Sequence, residues 1–165
     1  MVRFVNGDMF EHQHDCYVNT INCVGAMGAG IALEFKNRHP QMYKEYKRLC
    51  NEGEIAVGDC WIYKEGEYYL ANLAVKNNFR HRIRLPWAKI SIRNLINSIT
   101  DGRLPVHSVA LPRIGSKNGG RGAEFTQWGD YWPADSEAGY KELLQPFLLA
   151  ELKKCPKVEF TIYHR

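Results

Sequence analysis

Three glycines, Gly25, Gly28 and Gly30, follow Asn22 closely and precede a helical pattern that opens at Ile31. Glycine lets a backbone approach a ligand, and the first N–H groups of a helix point outward without partners. The spacing reads as an anion cradle suited to phosphates. Asn22 can both donate and accept hydrogen bonds beside such a phosphate. A ligand-free strand-to-helix turn would use the same glycines, and neither the Rossmann fingerprint nor a Walker loop is matched.

A second glycine loop, residues 112–120, carries Ile114, Gly115, Ser116, Lys117, Asn118 and Gly119. Asp8, beside Gly7, can accept from a ligand amine or cap a turn. Residues 79–84 concentrate three arginines and a histidine, which can clamp the phosphates of a nucleotide or DNA or form a solvated loop.

The elements that position these groups follow from periodicity. Residues 2–5, 16–21, 59–63, 68–75, 106–111 and 158–163 read as strands. Glu65-Gly66-Glu67 joins two of them as a hairpin. Helical spacing starts at Ile31 and resumes at Met42, Tyr46 and Leu49, with Pro40 dividing two helices. Further helices are expected over residues 90–99 and 137–154, the latter kinked or restarted at Pro146. The basic residues from Lys36 to Arg48 fall mostly on an outer, solvated face. Residues 121–135 read as an irregular loop whose Trp128, Tyr131 and Trp132 either roof a pocket or pack on the core. Strands alternating with helices predict an α/β fold, a sandwich with a mixed central sheet. In such sheets ligands lie at the carboxyl ends of the strands, so both glycine loops and the Lys76 segment should converge on one site.

The 165 residues suit one domain, 45% hydrophobic and 24% charged. No membrane-length apolar stretch or signal peptide is present. Five cysteines without a close C-x-x-C pair argue for free thiols in a cytoplasmic protein and against a zinc site. His12 and His14 share a turn without making a metal site. The net charge of +4 suits an anionic ligand without implying nucleic acid.

Val5-Asn6-Gly7-Asp8, Val18-Asn19-Thr20-Ile21-Asn22, Met27-Gly28-Ala29-Gly30-Ile31-Ala32 and Leu111-Pro112-Arg113-Ile114-Gly115 resemble, in this order, the motifs of the macro domains, which bind ADP-ribose. The resemblance covers nearly the whole chain and implies a single three-layer α/β/α domain over residues 1–165. The Met-Gly-x-Gly-Ile-Ala turn is most similar to a branch containing DNA ADP-ribosyl glycohydrolases, terminal ADP-ribose protein glycohydrolases and ADP-ribose-1″-phosphate phosphatases. By this resemblance Asp8 accepts from the adenine amine with Met9 beside it. Gly28, Gly30 and Ile31 offer N–H groups to one side of the diphosphate. Residues 114–119 wrap the other side, Asn22 faces the distal ribose and Tyr163 edges the adenine.

Lys76 matches a lysine that lies by the anomeric carbon in the glycohydrolases. It can attack C1″ as an amine, its pKa depressed by neighbouring cations, or act as a cation; a phosphate or surface contact is the plainer alternative. The protein-directed members pair their lysine with an aspartate where this chain has Gly119, and Gly119-Gly120 resembles the DNA-directed members. The leading expectation is removal of ADP-ribose from a macromolecule, DNA bases first. A phosphatase, with His81 as its candidate group, and a non-catalytic ADP-ribose module are the alternatives. No cofactor or membrane is implied, and a free-standing monomer is expected.

Overall fold

The computed structural model describes residues 1–81, 83–116 and 136–165. Strands β1 (Val2–Asn6) and β2 (Cys16–Ile21) precede helices α1 (Gly30–Arg38) and α2 (Pro40–Asn51). A hairpin of β3 (Cys60–Glu65) and β4 (Tyr68–Ala74) follows, then α3 (Leu85–Thr100) and β5 (Ser108–Pro112). After α4 (Ser136–Gly139), a π-helical turn (Tyr140–Leu144) and α5 (Gln145–Leu152), β6 (Glu159–His164) ends the order. The described strands form one sheet in the order β1-β6-β5-β2-β4-β3. β3 runs antiparallel to β4; the other pairings are parallel. This is the mixed sheet expected from the sequence.

Side chains alternate across a strand, and here both faces are covered. On β4, Ala71 and Leu73 enter a core built with Ile92, Leu95 and Ile96 of α3 and Leu148 of α5. Leu70 and Ala74 enter the opposite core with Phe35 of α1 and Met42 and Tyr46 of α2. Helices therefore lie on both faces, giving three layers.

One boundary differs from expectation. Helix α3 begins at Leu85 rather than residue 90, because Pro86 occupies its first turn, where the missing N–H costs nothing. The last helix restarts where expected, with Pro146 in the first turn of α5. The π-helical turn lies just before it, and the Gln145 N–H donates to the Tyr140 carbonyl, five residues back. Proline has no N–H for an i→i−4 bond, so the irregularity is taken up immediately upstream.

Candidate active site

A cleft of about 760 Å³ opens at the carboxyl ends of β2, β4 and β5. That is within the usual range for a small-molecule site. Gly28, Gly30 and Ile31 form one wall, and Ile114, Gly115 and Ser116 another. Asn22 and Lys76 line the floor between them, and Asp8, Met9 and Tyr163 line a further side. Lys117, Asn118, Gly119 and the segment 121–135 lie outside the described residues.

Helix α1 starts without a side-chain cap: Ala29 is extended and no side chain bonds to the first turn. The first intrahelical bond runs from Leu33 N–H to the Ala29 carbonyl, so the N–H groups before it face the cleft at the positive end of the helix. Gly30 enters with φ 57°, which favours glycine. At Gly28 an added Cβ would face open space, with none of the described atoms within 4 Å. Across the cleft, Gly115 has φ 80°, and the Ser116 N–H and Oγ both donate to the Arg113 carbonyl, at 3.2 and 2.9 Å. Arg113 is ion-paired with Glu137, which ties this loop to α4.

Asn22 is 5% exposed, and much of its amide is used internally. Its Oδ1 accepts from the N–H groups of Val24 and Ala26, at 3.1 and 3.4 Å, while its Nδ2 donates to the Ala26 carbonyl at 2.9 Å. The Tyr46 hydroxyl on α2 lies 2.8 Å from both Oδ1 and the Asn22 carbonyl. Asn22 thus shapes the glycine loop, and an amide with two N–H bonds keeps a second one for a ligand. Tyr43 adds a bond to the Gly25 carbonyl at 3.2 Å.

The β2–β4 ladder continues past both strands. Val75 N–H donates to Ile21 O at 3.2 Å and Cys23 N–H to Asn77 O at 2.9 Å, which fixes Lys76 beside the Asn22 loop. Lys76 is 7% exposed and its Nζ donates to the His81 carbonyl at 2.8 Å. Burial lowers its pKa from 10.5 to about 8. Among the described residues, loss of water is the cause of this depression, and Arg82 of the neighbouring arginines lies outside them.

The macro domain profile matches residues 18–124, from β2 through the second glycine loop. The chain belongs to the macro domain family. The DNA ADP-ribosyl glycohydrolase of Thermus aquaticus is 36% identical over 124 residues, 73% of this chain and 34% of that protein. The enzyme of the same name from Mycobacterium tuberculosis is 35% identical over 167 residues, 99% of this chain and 42% of that protein. The chain thus spans well under half the length of the curated relatives it matches. The solved macrodomain of Mycobacterium tuberculosis DarG superposes with a TM-score of 0.82 at 28% identity, covering 100% of this chain and 98% of that one.

In this macro domain Asp8 caps a turn, one of the two readings its sequence position allows, and it also lines the cleft. Its Oδ1 caps the short turn at Met9–Glu11, accepting from Phe10 N–H at 3.0 Å, while the residue lines the cleft. Sequence reasoning missed what surrounds it. Arg165 pairs with Glu34 and lies 3.7 Å from Asp8, joining the end of β6 to α1. The histidine turn braces Tyr163: His14 bonds its hydroxyl at 2.6 Å and Ser108 at 2.6 Å, and the His12 ring stacks on it at 5.5 Å. Burial holds the His14 imidazole below its ordinary value. His81 contributes its carbonyl to Lys76 but is not among the residues lining the cleft.

Proposed function

We propose that this macro domain binds ADP-ribose and hydrolyses an ADP-ribosyl linkage, freeing ADP-ribose from a modified DNA base. Asp8 accepts from the adenine amine between Met9 and Tyr163. The start of α1 and the N–H groups of Ile114 and Gly115 hold the diphosphate from two sides. The distal ribose then reaches the floor, where Asn22 and Lys76 lie. The observation that carries the reading is the buried Lys76 amine, with a pKa of about 8, in the cleft between the two glycine loops. About a tenth of such amines are neutral at pH 7, against fewer than one in a thousand for an ordinary lysine.

As a nucleophile, Lys76 Nζ forms a bond to C1″ as the C1″–base bond breaks, and the base leaves with a proton. Water then cleaves the C1″–Nζ bond, returning the amine and ADP-ribose. As a cation, Lys76 polarises the ribose and stabilises the departing group. The relatives named for this activity, 36% and 35% identical, support the choice of reaction. The basic residues after Lys76 support the choice of DNA.

The test is ADP-ribose release from mono-ADP-ribosylated single-stranded DNA. Wild type should release it, and Lys76→Ala should lose at least about 100-fold in rate while binding free ADP-ribose within a few fold. A rate that rises with pH through a midpoint near 8 marks the neutral amine, and one that falls through the same midpoint marks the cation. The Nζ–His81 bond favours a second reading, in which Lys76 is a structural cation in a module that binds without turnover. Absence of release from a protein that binds ADP-ribose would select that reading.

A further inference from the structure

Phe79 is 51% exposed, and of the large apolar residues exposed among the described ones it alone lines the cleft. Its backbone is held by the bonds that hold Lys76. Asn77 accepts from Cys23 N–H at 2.9 Å, and the Lys76 amine reaches the His81 carbonyl at 2.8 Å. Between them the Asn78 side chain accepts from Arg80 N–H at 3.0 Å and its carbonyl from His81 N–H at 3.1 Å. This tight turn presents residue 79 outward. The Arg80 guanidinium lies 5.6 Å from the Phe79 ring centroid, within reach of a cation–π contact.

We infer that Phe79 is the platform on which the departing nucleobase stacks, with Arg80 beside it for the phosphate of the same strand. The inference rests on the glycohydrolase reading and adds what selects the leaving group. Once ADP-ribose fills the cradle with C1″ at Lys76, the group attached to C1″ lies in the cleft mouth, where the ring is. A base has a flat π-face and a phosphate a few ångströms away, matching a ring and a guanidinium side by side. An ADP-ribosylated serine or glutamate has neither, so the pair discriminates between macromolecules without altering the ADP-ribose cradle. As a positioning residue, Phe79 acts through placement of the base rather than through bond-making.

Phe79→Leu and Phe79→Trp would be compared with wild type on a single-stranded oligonucleotide carrying one ADP-ribosyl base, on an ADP-ribosylated peptide, and for affinity towards free ADP-ribose. Stacking on an aromatic side chain is worth enough per base that Phe79→Leu should lower kcat/KM on the oligonucleotide about 5- to 150-fold, mainly through KM. Phe79→Trp should restore it. ADP-ribose affinity should stay within about twofold, and any peptide hydrolysis should be unchanged. Wild-type rates for Phe79→Leu on the oligonucleotide would overturn the platform while leaving the glycohydrolase intact. So would a parallel loss of ADP-ribose affinity or an equal loss on the peptide. No release from the oligonucleotide by wild type would instead sink the glycohydrolase reading, and the platform with it.

Discussion

Replacing Lys76 by Met separates stability from function. Methionine keeps the length and apolar stem without the charge. In the folded chain the amine has a pKa of about 8, below its ordinary 10.5. The unfolded chain therefore holds the proton more tightly, and folding with a charged Lys76 is penalised in full below pH 8. At 1.36 kcal/mol for each pKa unit, the drop from 10.5 to about 8 corresponds to about 3 kcal/mol. Lys76→Met removes this penalty but also takes a donor from the His81 carbonyl, which costs about 1–2 kcal/mol. The variant should then be about 1–2 kcal/mol more stable than wild type at pH 7, and inactive. Between about pH 8 and 10.5 the unfolded chain retains a proton that the folded chain has lost, so wild-type stability rises with pH there. By pH 9.5 the variant's advantage should have shrunk by about 2 kcal/mol. Urea unfolding of both proteins at pH 7 and 9.5 measures the difference, and groups common to both cancel. A Met variant less stable than wild type by the same amount at both values would refute the claim that a desolvated ammonium strains this site.

Gly28→Val should leave stability within about 0.5 kcal/mol, since its Cβ meets none of the described atoms, yet weaken ADP-ribose binding at least about 10-fold. Wild-type affinity by calorimetry would remove the close-approach role of this glycine. Tyr46→Phe should cost about 1 kcal/mol in denaturant and several-fold in ADP-ribose affinity, because the hydroxyl that steadies the Asn22 loop is lost. Unchanged affinity would separate α2 from the loop's function.

The architecture was legible where local pattern and global fold agree. The Gly66 hairpin and the Pro40 break are written in residues whose backbone preferences act over a few positions. The buried strands announce themselves as apolar runs because helices cover both of their faces. The start of α3 was less legible: the apolar period shows from residue 90, and the turn from Leu85 that precedes it carries no such period. The candidate site was legible as glycines, an aspartate and a lysine, but not as a network. Tyr46 shows helical core spacing, and nothing local says that its hydroxyl meets Asn22, 24 residues away. The bracing of Tyr163 by His14 spans 149 residues. The burial of Lys76 likewise depends on strand ends that pair only after the sheet forms, so spacing had no access to the loss of water.

Three locally unfavourable features share the cleft: a desolvated ammonium at Lys76, an uncapped start to α1, and a half-exposed ring at Phe79. Each taken alone has an ordinary explanation. A buried lysine can be a structural cation, an uncapped helix can bond to water, and a lone exposed phenylalanine is common. Together they ask for a ligand with a definite order of parts. Its anionic middle would satisfy the α1 N–H groups, its reactive sugar would sit against Lys76, and its flat end would cover Phe79. An ADP-ribosyl base has those parts in that order, whereas ADP-ribose-1″-phosphate lacks the flat end and would leave the ring uncovered. On the proposed reading the leaving group separates the two hydrolases on this floor, and residue 79 is the place to test the distinction.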